Sequence, residues 1–276
     1  MEIGEAAALA DQFSLSLVFK VHSLPLNERT SWARQWRLGL GTSLGVCAAL
    51  EEQRRNLKPF AALRLLDRDQ GRQMFVTLSA LVDDDGRGRC PAVSDGRCSI
   101  YARRPLTCRS VPLHYSRAPS TLASYLDGFT STPSYRCETT VAPPVLSGDL
   151  VLCDAVRSAR DEAFRQADRD KAWKTAVTGL MGDPLTARDA GLPTLSDVMT
   201  NSDRGYATSV PMLAAWRVAL ANRMMTRAAF DDVCRRQIAL LARFENKAEA
   251  AERQALYRAA LSADRSPLLQ RLSLAG

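Results

Sequence analysis

Between residues 83 and 148 the chain is punctuated so densely by turn-forming residues that no long helix or strand fits. Asp83-Asp84-Asp85-Gly86, Asp95-Gly96, Pro105, Pro112, Pro119, Pro133, Pro143 and Pro144 all fall within it. Something other than a repeating backbone ladder must order such a stretch. Four of the seven cysteines, Cys90, Cys98, Cys108 and Cys137, lie inside it.

The meaning of clustered cysteine depends on compartment. Met1-Glu2-Ile3-Gly4-Glu5 is acidic where a signal peptide is basic, and the apolar run after it, Ala6-Ala7-Ala8-Leu9-Ala10, is cut short by Asp11. The chain therefore reads as cytoplasmic, where structural disulfides are a poor default and metal binding or catalysis takes their place. No apolar run approaches the roughly 20 residues of a membrane helix, which excludes an integral helical membrane protein.

Seven residues separate Cys90 from Cys98, nine separate Cys98 from Cys108, and twenty-eight separate Cys108 from Cys137. Zinc fingers and ribbons usually begin with paired Cys-x-x-Cys knuckles, which are absent. Thiolates on an irregular segment can still converge on a soft metal ion or an iron–sulfur cluster, whose bonds then replace a missing core. Arg87, Arg89, Arg97, Arg103, Arg104 and Arg109 crowd the same cysteines. Positive charge there lowers thiol pKa values and offsets the negative charge of a thiolate-bound centre.

The succession Cys90-Pro91-Ala92-Val93, Gly96-Arg97-Cys98-Ser99-Ile100-Tyr101, Arg104-Pro105-Leu106-Thr107-Cys108-Arg109 and Pro112 resembles the core motif of the YkgJ-type cysteine-cluster family of zinc- or iron-chelating proteins. That family is similar in turn to the flagellin lysine N-methylases. The resemblance covers residues 90–112, with Cys137 as a downstream ligand. It implies an iron–sulfur cluster, 4Fe–4S among the choices, or zinc on Cys90, Cys98, Cys108 and Cys137. Tyr101, Arg104 and Arg109 are expected to pack and hydrogen-bond around the ligands. The family's tight upstream group of cysteines is missing, Cys47 being the one cysteine upstream. Four ligands would close the site, whereas three would leave an open iron position for a substrate or S-adenosylmethionine. Three functions stay open: a metal-binding protein, an S-adenosylmethionine-dependent lysine N-methylase acting on a protein substrate, and a structural zinc module for protein interaction.

The remaining cysteines read as core. Cys47 sits in the apolar helical context Val46-Cys47-Ala48-Ala49-Leu50, Cys153 follows Leu150-Val151-Leu152, and Cys234 lies on an apolar stripe. His114, six residues after Cys108, is a candidate ligand or acid–base group, while His22 carries little signal. Asp83-Asp84-Asp85 reads as a solvated acidic turn before Gly86.

Elsewhere, residues 13–21 alternate apolar and polar as a half-buried strand that Pro25 ends. Trp32 and Trp36 have helical spacing, 43–57 forms a helix, and Pro59 closes that helix or opens another. Residues 74–82 form a strand or a short buried helix. Beyond Gly148, 154–180 and 211–263 are rich in helix formers, with Phe230, Val233, Cys234, Ile238 and Leu241 on one stripe. Residues 179–191 read as a turn region, and 201–205 as an exposed loop. The expected fold is α+β and mainly helical, with a cysteine-rich metal-binding region over 1–148 and a helical region over 149–276. The net charge of +7 is dispersed among Asp and Glu, which argues against a nucleic-acid surface. Phosphate-cradling loops, dinucleotide fingerprints, His-Glu-x-x-His and Gly-x-Ser-x-Gly elbows are absent.

Overall fold

The computed structural model describes residues 3–26, 43–83, 90–131, 144–243 and 248–262. Its elements in chain order are α1 (Ile3–Ala6), β1 (Leu15–Pro25), α2 (Ser43–Leu57), β2 (Ala61–Asp67), β3 (Arg72–Val82), β4 (Val93–Ser94), β5 (Arg97–Cys98), α3 (Leu106–Arg109) and α4 (Leu122–Thr130). They continue with β6 (Leu146–Ser147), β7 (Leu150–Val151), α5 (Asp154–Arg169), α6 (Lys171–Leu180), α7 (Pro184–Ala190), α8 (Leu195–Asp203), β8 (Thr208–Pro211), α9 (Leu213–Ala221), α10 (Arg227–Leu241) and α11 (Ala248–Ser262). The class is α+β, with one four-stranded antiparallel sheet of order β2-β3-β1-β8 and two small ribbons, β4-β5 and β6-β7.

The first strand differs from the alternating pattern expected of it. Leu15, Ser16, Leu17, Val18 and Phe19 are all buried, so the start of β1 is covered on both faces. Burial of a serine needs a hydrogen-bond partner. Asp83 supplies it, accepting from the Ser16 hydroxyl at 2.8 Å. Ser16 to Phe19 pair with Pro211 to Thr208 of β8, and Pro211 takes the edge position that a residue without an N–H tolerates. Residues 74–82 are resolved as strand, inside β3. Pro59 opens no helix: it stands between α2 and β2, which forms a hairpin with β3. Asp67 accepts from the Gln70 backbone N–H and from Arg72 Nε, both at 3.0 Å, and Gly71 takes the positive φ the turn requires.

The chain divides into two compact units, each assembled from separated stretches. The first comprises Met1–Val21, Leu78–Arg103 and Asp170–Gly276, the second His22–Thr77 and Arg104–Arg169. In the first unit, buried Phe230, Val233, Cys234, Leu240 and Leu241 line α10. The stripe includes Gln237, 1% exposed, while Ile238 is only half-buried. Gln237 is tolerated inside because its amide donates to the carbonyls of Ala10 and Phe13, each at 2.6 Å. The turn expected over 179–191 contains α7, started by the Asp183 cap on the Thr186 N–H at 2.8 Å with Pro184 behind it, and ended by Gly191 at φ 72°. Residues 201–203 belong to the end of α8 rather than to a loop.

In the second unit, α5 presents Ala159, Ala163 and Ala167 at four-residue spacing to Phe60, Leu106 and Tyr115. Small side chains on that face let the aromatic rings and the short helix α3 approach closely. The helix expected over 154–180 is interrupted at Asp170, between α5 and α6. The helix of Trp32 and Trp36 lies outside the described residues. Among the described residues no helix is long and apolar enough to cross a membrane.

Candidate metal-binding segment

The sequence Ser94-Asp95-Gly96-Arg97 folds as a two-residue hairpin in which Asp95 and Gly96 have φ of 51° and 72°. Positive φ at both central positions is what a type I′ turn demands, and Asp-Gly meets it at the least steric cost. The hairpin sets Cys98 opposite Val93, whose N–H donates to the Cys90 carbonyl at 3.0 Å. The Ser99 N–H closes the far end on the Ala92 carbonyl at 2.8 Å. Cys98 thus lies in a ribbon whose strands are two residues each, and Cys90 opens the turn that leads into it. Cys90 is exposed and Cys98 half-buried.

Cys108 occupies the third position of α3 and is exposed. Its helix is seated by Leu106, 3% exposed, against Phe60, Tyr115 and the alanines of α5. The loop after it has no ladder of its own, yet the carbonyls of five consecutive residues, 113–117, accept from buried side chains. Arg160 donates to Leu113, His114 and Arg117 at 3.3, 2.7 and 2.8 Å. Asn56 donates to Tyr115 at 3.2 Å, and Gln53 to Ser116 at 2.8 Å. Gln53 turns its amide oxygen to the Ala118 N–H, also at 2.8 Å. Because buried backbone polar groups must be paired, these three side chains on α2 and α5 specify the loop as strictly as a sheet would.

That loop carries His114, half-buried, with Nδ1 2.8 Å from the Ser116 hydroxyl and 3.2 Å from the Ser116 N–H. An N–H aimed at Nδ1 makes it the acceptor, so the neutral ring carries its proton on Nε2. Metal ligation through Nε2 would require moving that proton to Nδ1, against the Ser116 N–H. His22 contacts Thr77 Oγ1 at 3.2 Å through Nε2.

Of the residues expected to surround the ligands, Tyr101 is 65% exposed, Arg109 is exposed and Arg104 half-buried, while Ala92, Ile100, Pro105 and Leu106 are the buried members of the motif. Cys137, Asp84 and Asp85 lie outside the described residues. Asp83 is no solvated turn residue, being held by Ser14 and Ser16 at 2.6 and 2.8 Å. Cys47 is not a core residue: the inward face of α2 runs through Ala49, Leu50, Gln53, Asn56 and Leu57, and Cys47 is exposed. Cys153 is half-buried against Leu113, Leu122, Val151 and Val156. Cys234 is fully buried, and burial, reinforced by the Asp231 charge, pushes its thiol up to about 12.

The residues that hold the 113–117 loop, Gln53, Asn56 and Arg160, are missed by the sequence reading. Their signal was weak but present: each interrupts the inward face of an otherwise regular helix. Among the described residues no three His, Cys, Asp or Glu side chains are gathered closely enough to hold a metal ion. No protein-family model, curated protein or solved structure matches the chain.

Proposed function

We propose that the protein binds a metal centre, an iron–sulfur cluster or zinc, through the thiolates of Cys90, Cys98 and Cys108, with Cys137 as the fourth ligand. The observation that carries this reading is the contrast in burial among the cysteines. A cysteine kept for packing belongs inside, as Cys234 does, whereas Cys90 and Cys108 are exposed and Cys98 half-buried; Cys47 is exposed as well, so exposure takes a packing role from the motif's thiols and their spacing sets them apart as ligands. A four-thiolate set is chemically suited to a soft metal, and the arginines at 97, 103, 104 and 109 offset its negative charge. The spacing of the motif and its resemblance to the YkgJ-type pattern point the same way.

No three donors are gathered beforehand among the described residues, so metal capture and ordering of the segment are coupled, and the binding free energy becomes folding free energy. The 113–117 loop is the part that needs no metal, its carbonyls being satisfied by Arg160, Asn56 and Gln53. Anaerobic purification followed by metal and acid-labile sulfide analysis, with an absorption spectrum, tests the reading. Iron with sulfide and visible absorption identifies a cluster, and stoichiometric zinc in a colourless protein identifies a zinc site. Folded protein that takes up neither on reconstitution overturns the proposal.

A further inference from the structure

We infer that the stretch from Arg97 to Arg117 binds single-stranded nucleic acid, its arginines taking phosphate groups and Tyr101 stacking on a base. The inference is independent of the metal-centre reading.

The charge of the chain is less evenly spread than its totals imply. From Gly96 to Leu126 there is neither Asp nor Glu, the longest acid-free run in the sequence, and within it stand Arg97, Arg103, Arg104, Arg109 and Arg117. Of the 37 basic residues, the five in this run leave 32 to face 30 acidic ones, so most of the net charge of +7 originates here. Every one of the five is arginine. Its planar fork takes a phosphate through two parallel hydrogen bonds, which a lysine ammonium cannot do.

Elsewhere the arginines are neutralised locally. On α10 all three pair with acids one turn away, Arg227 and Arg235 with Asp231 and Arg236 with Asp232. By contrast, Arg97, Arg103 and Arg109 are exposed and make no ion pair among the described residues. The Asp11 carboxylate feels the charge of Arg103, but Arg236 faces the same carboxylate at 4.0 Å. Asp95, just before the run, accepts from the Ser94 hydroxyl at 3.4 Å. Positive charge left without fixed counter-charges attracts a mobile polyanion.

In the first unit these side chains project from an ordered backbone. The Asp95-Gly96 turn sets Arg97 at the head of β5, Ala92 and Ile100 are buried, and the Arg103 N–H closes a turn on the Ile100 carbonyl at 2.8 Å. Tyr101, inside that turn, is 65% exposed. An aromatic ring in water, flanked in sequence by exposed arginines, is a stacking platform, and every base offers the π-face it needs. In the second unit Arg109 ends α3, which buried Leu106 seats, and the Arg117 guanidinium lies 5.0 Å from the centroid of the Tyr125 ring. A backbone ordered beforehand reduces the entropy lost on binding. A flexible polyanion can follow the stretch through both units whatever their mutual placement.

Single strands suit these elements better than a duplex does. Helix α3 has four residues and each strand of the ribbon two, too short to read a major groove. Backbone charge and stacked bases ask for no such element.

The test is fluorescence anisotropy of labelled oligodeoxythymidylate titrated with the full chain at several salt concentrations. Three exposed arginines at about 0.7 per phosphate contact predict a slope of about −2 for log K against log salt. Arg97→Gln, Arg103→Gln and Arg109→Gln should each flatten the slope by about 0.7, and the triple variant should lose binding. Tyr101→Ala should weaken binding about tenfold at unchanged slope, while Tyr101→Phe, which keeps the ring, should bind as wild type. The single variants keep the test readable if the triple one unfolds. Exposed Arg188, Arg204 and Arg258 provide the control, and their combined replacement by Gln should leave binding intact. Equal loss in that control means that affinity follows net charge alone and overturns the inference. So does a wild type that fails to bind at low salt, tighter binding to duplex than to single strand, or equal binding to polyglutamate or phosphatidylserine vesicles that Tyr101→Ala leaves unchanged.

Discussion

Arg160 and His114 meet through the backbone: the guanidinium donates to the His114 carbonyl at 2.7 Å from a side chain that is 7% exposed and makes no ion pair among the described residues. Burial holds this guanidinium below the ordinary arginine pKa, the neighbouring Asp161 charge opposing. Its counterpart is a set of carbonyl dipoles at residues 113, 114 and 117 rather than a carboxylate. Charge-assisted bonds of this kind are stronger than neutral ones, and losing the donor orphans the Leu113 and Arg117 carbonyls and leaves that of His114 with the Arg117 N–H at 3.1 Å.

Arg160→Met, similar in bulk along the stem but without donors, is therefore expected to cost about 3 kcal/mol of stability, since each buried unsatisfied carbonyl carries a penalty of about 1–3 kcal/mol and some will be rewetted. Arg160→Lys should recover only part of the loss, because an ammonium lacks the fork that spans three carbonyls. Urea unfolding of the metal-free protein measures both. A loss below about 0.5 kcal/mol for Arg160→Met, the range of ordinary surface substitutions, would mean that the loop is held by something else.

Gln237→Leu makes a parallel case in the other unit. The substitution keeps the volume and improves the apolar stripe of α10 by sequence criteria, yet it removes the donor to the Ala10 and Phe13 carbonyls. A destabilisation of about 2 kcal/mol is expected. Thermal unfolding should show a lower Tm. A raised Tm would show that burying leucine outweighs the two orphaned carbonyls.

Alkaline pH should unfold the protein through Cys234 and Tyr257. Burial raises the thiol from 9.0 to about 12, and it raises the Tyr257 phenol as well. Between these limits the unfolded chain has released the thiol proton while the folded chain retains it, so the folded state binds more protons and stability falls as pH rises. The contribution is complete below pH 9 and lost progressively towards pH 12, with a slope approaching about 1.4 kcal/mol per pH unit for one proton. Denaturant midpoints measured from pH 8 upward should decline for wild type and decline less steeply for Cys234→Ala. Identical slopes would remove Cys234 from the explanation.

The helix at 43–57 and the start of the one expected over 154–180 were legible because helix formers and a run of inward positions coincide in each segment, whereas the break at Asp170 was not. Strand β2 was not: Ala61-Ala62-Leu63-Arg64-Leu65-Leu66-Asp67 has helix-forming composition, and its pairing with β3 is a long-range choice that overrides propensity. The β4-β5 ribbon was available from Asp95-Gly96, a hairpin signal read only as punctuation. Ser14, Ser16 and Asp83 look solvent-facing one at a time, and only their meeting with Arg253, 170 residues from Asp83, makes them interior. The cysteine spacing showed which thiols to consider, but exposure distinguishes Cys47 from Cys234, two residues that the apolar sequence around each describes alike.

The division of the cysteines into ligands and core is tested most directly by measuring bound metal per protein in Cys98→Ser, Cys108→Ser and Cys234→Ser, each purified anaerobically beside the wild type. The account predicts that Cys98→Ser and Cys108→Ser lose most of the metal, and with it the thermal stability that ligation supplies, while Cys234→Ser keeps the wild-type content. Equal loss in all three variants, or full retention in Cys98→Ser and Cys108→Ser, would contradict it.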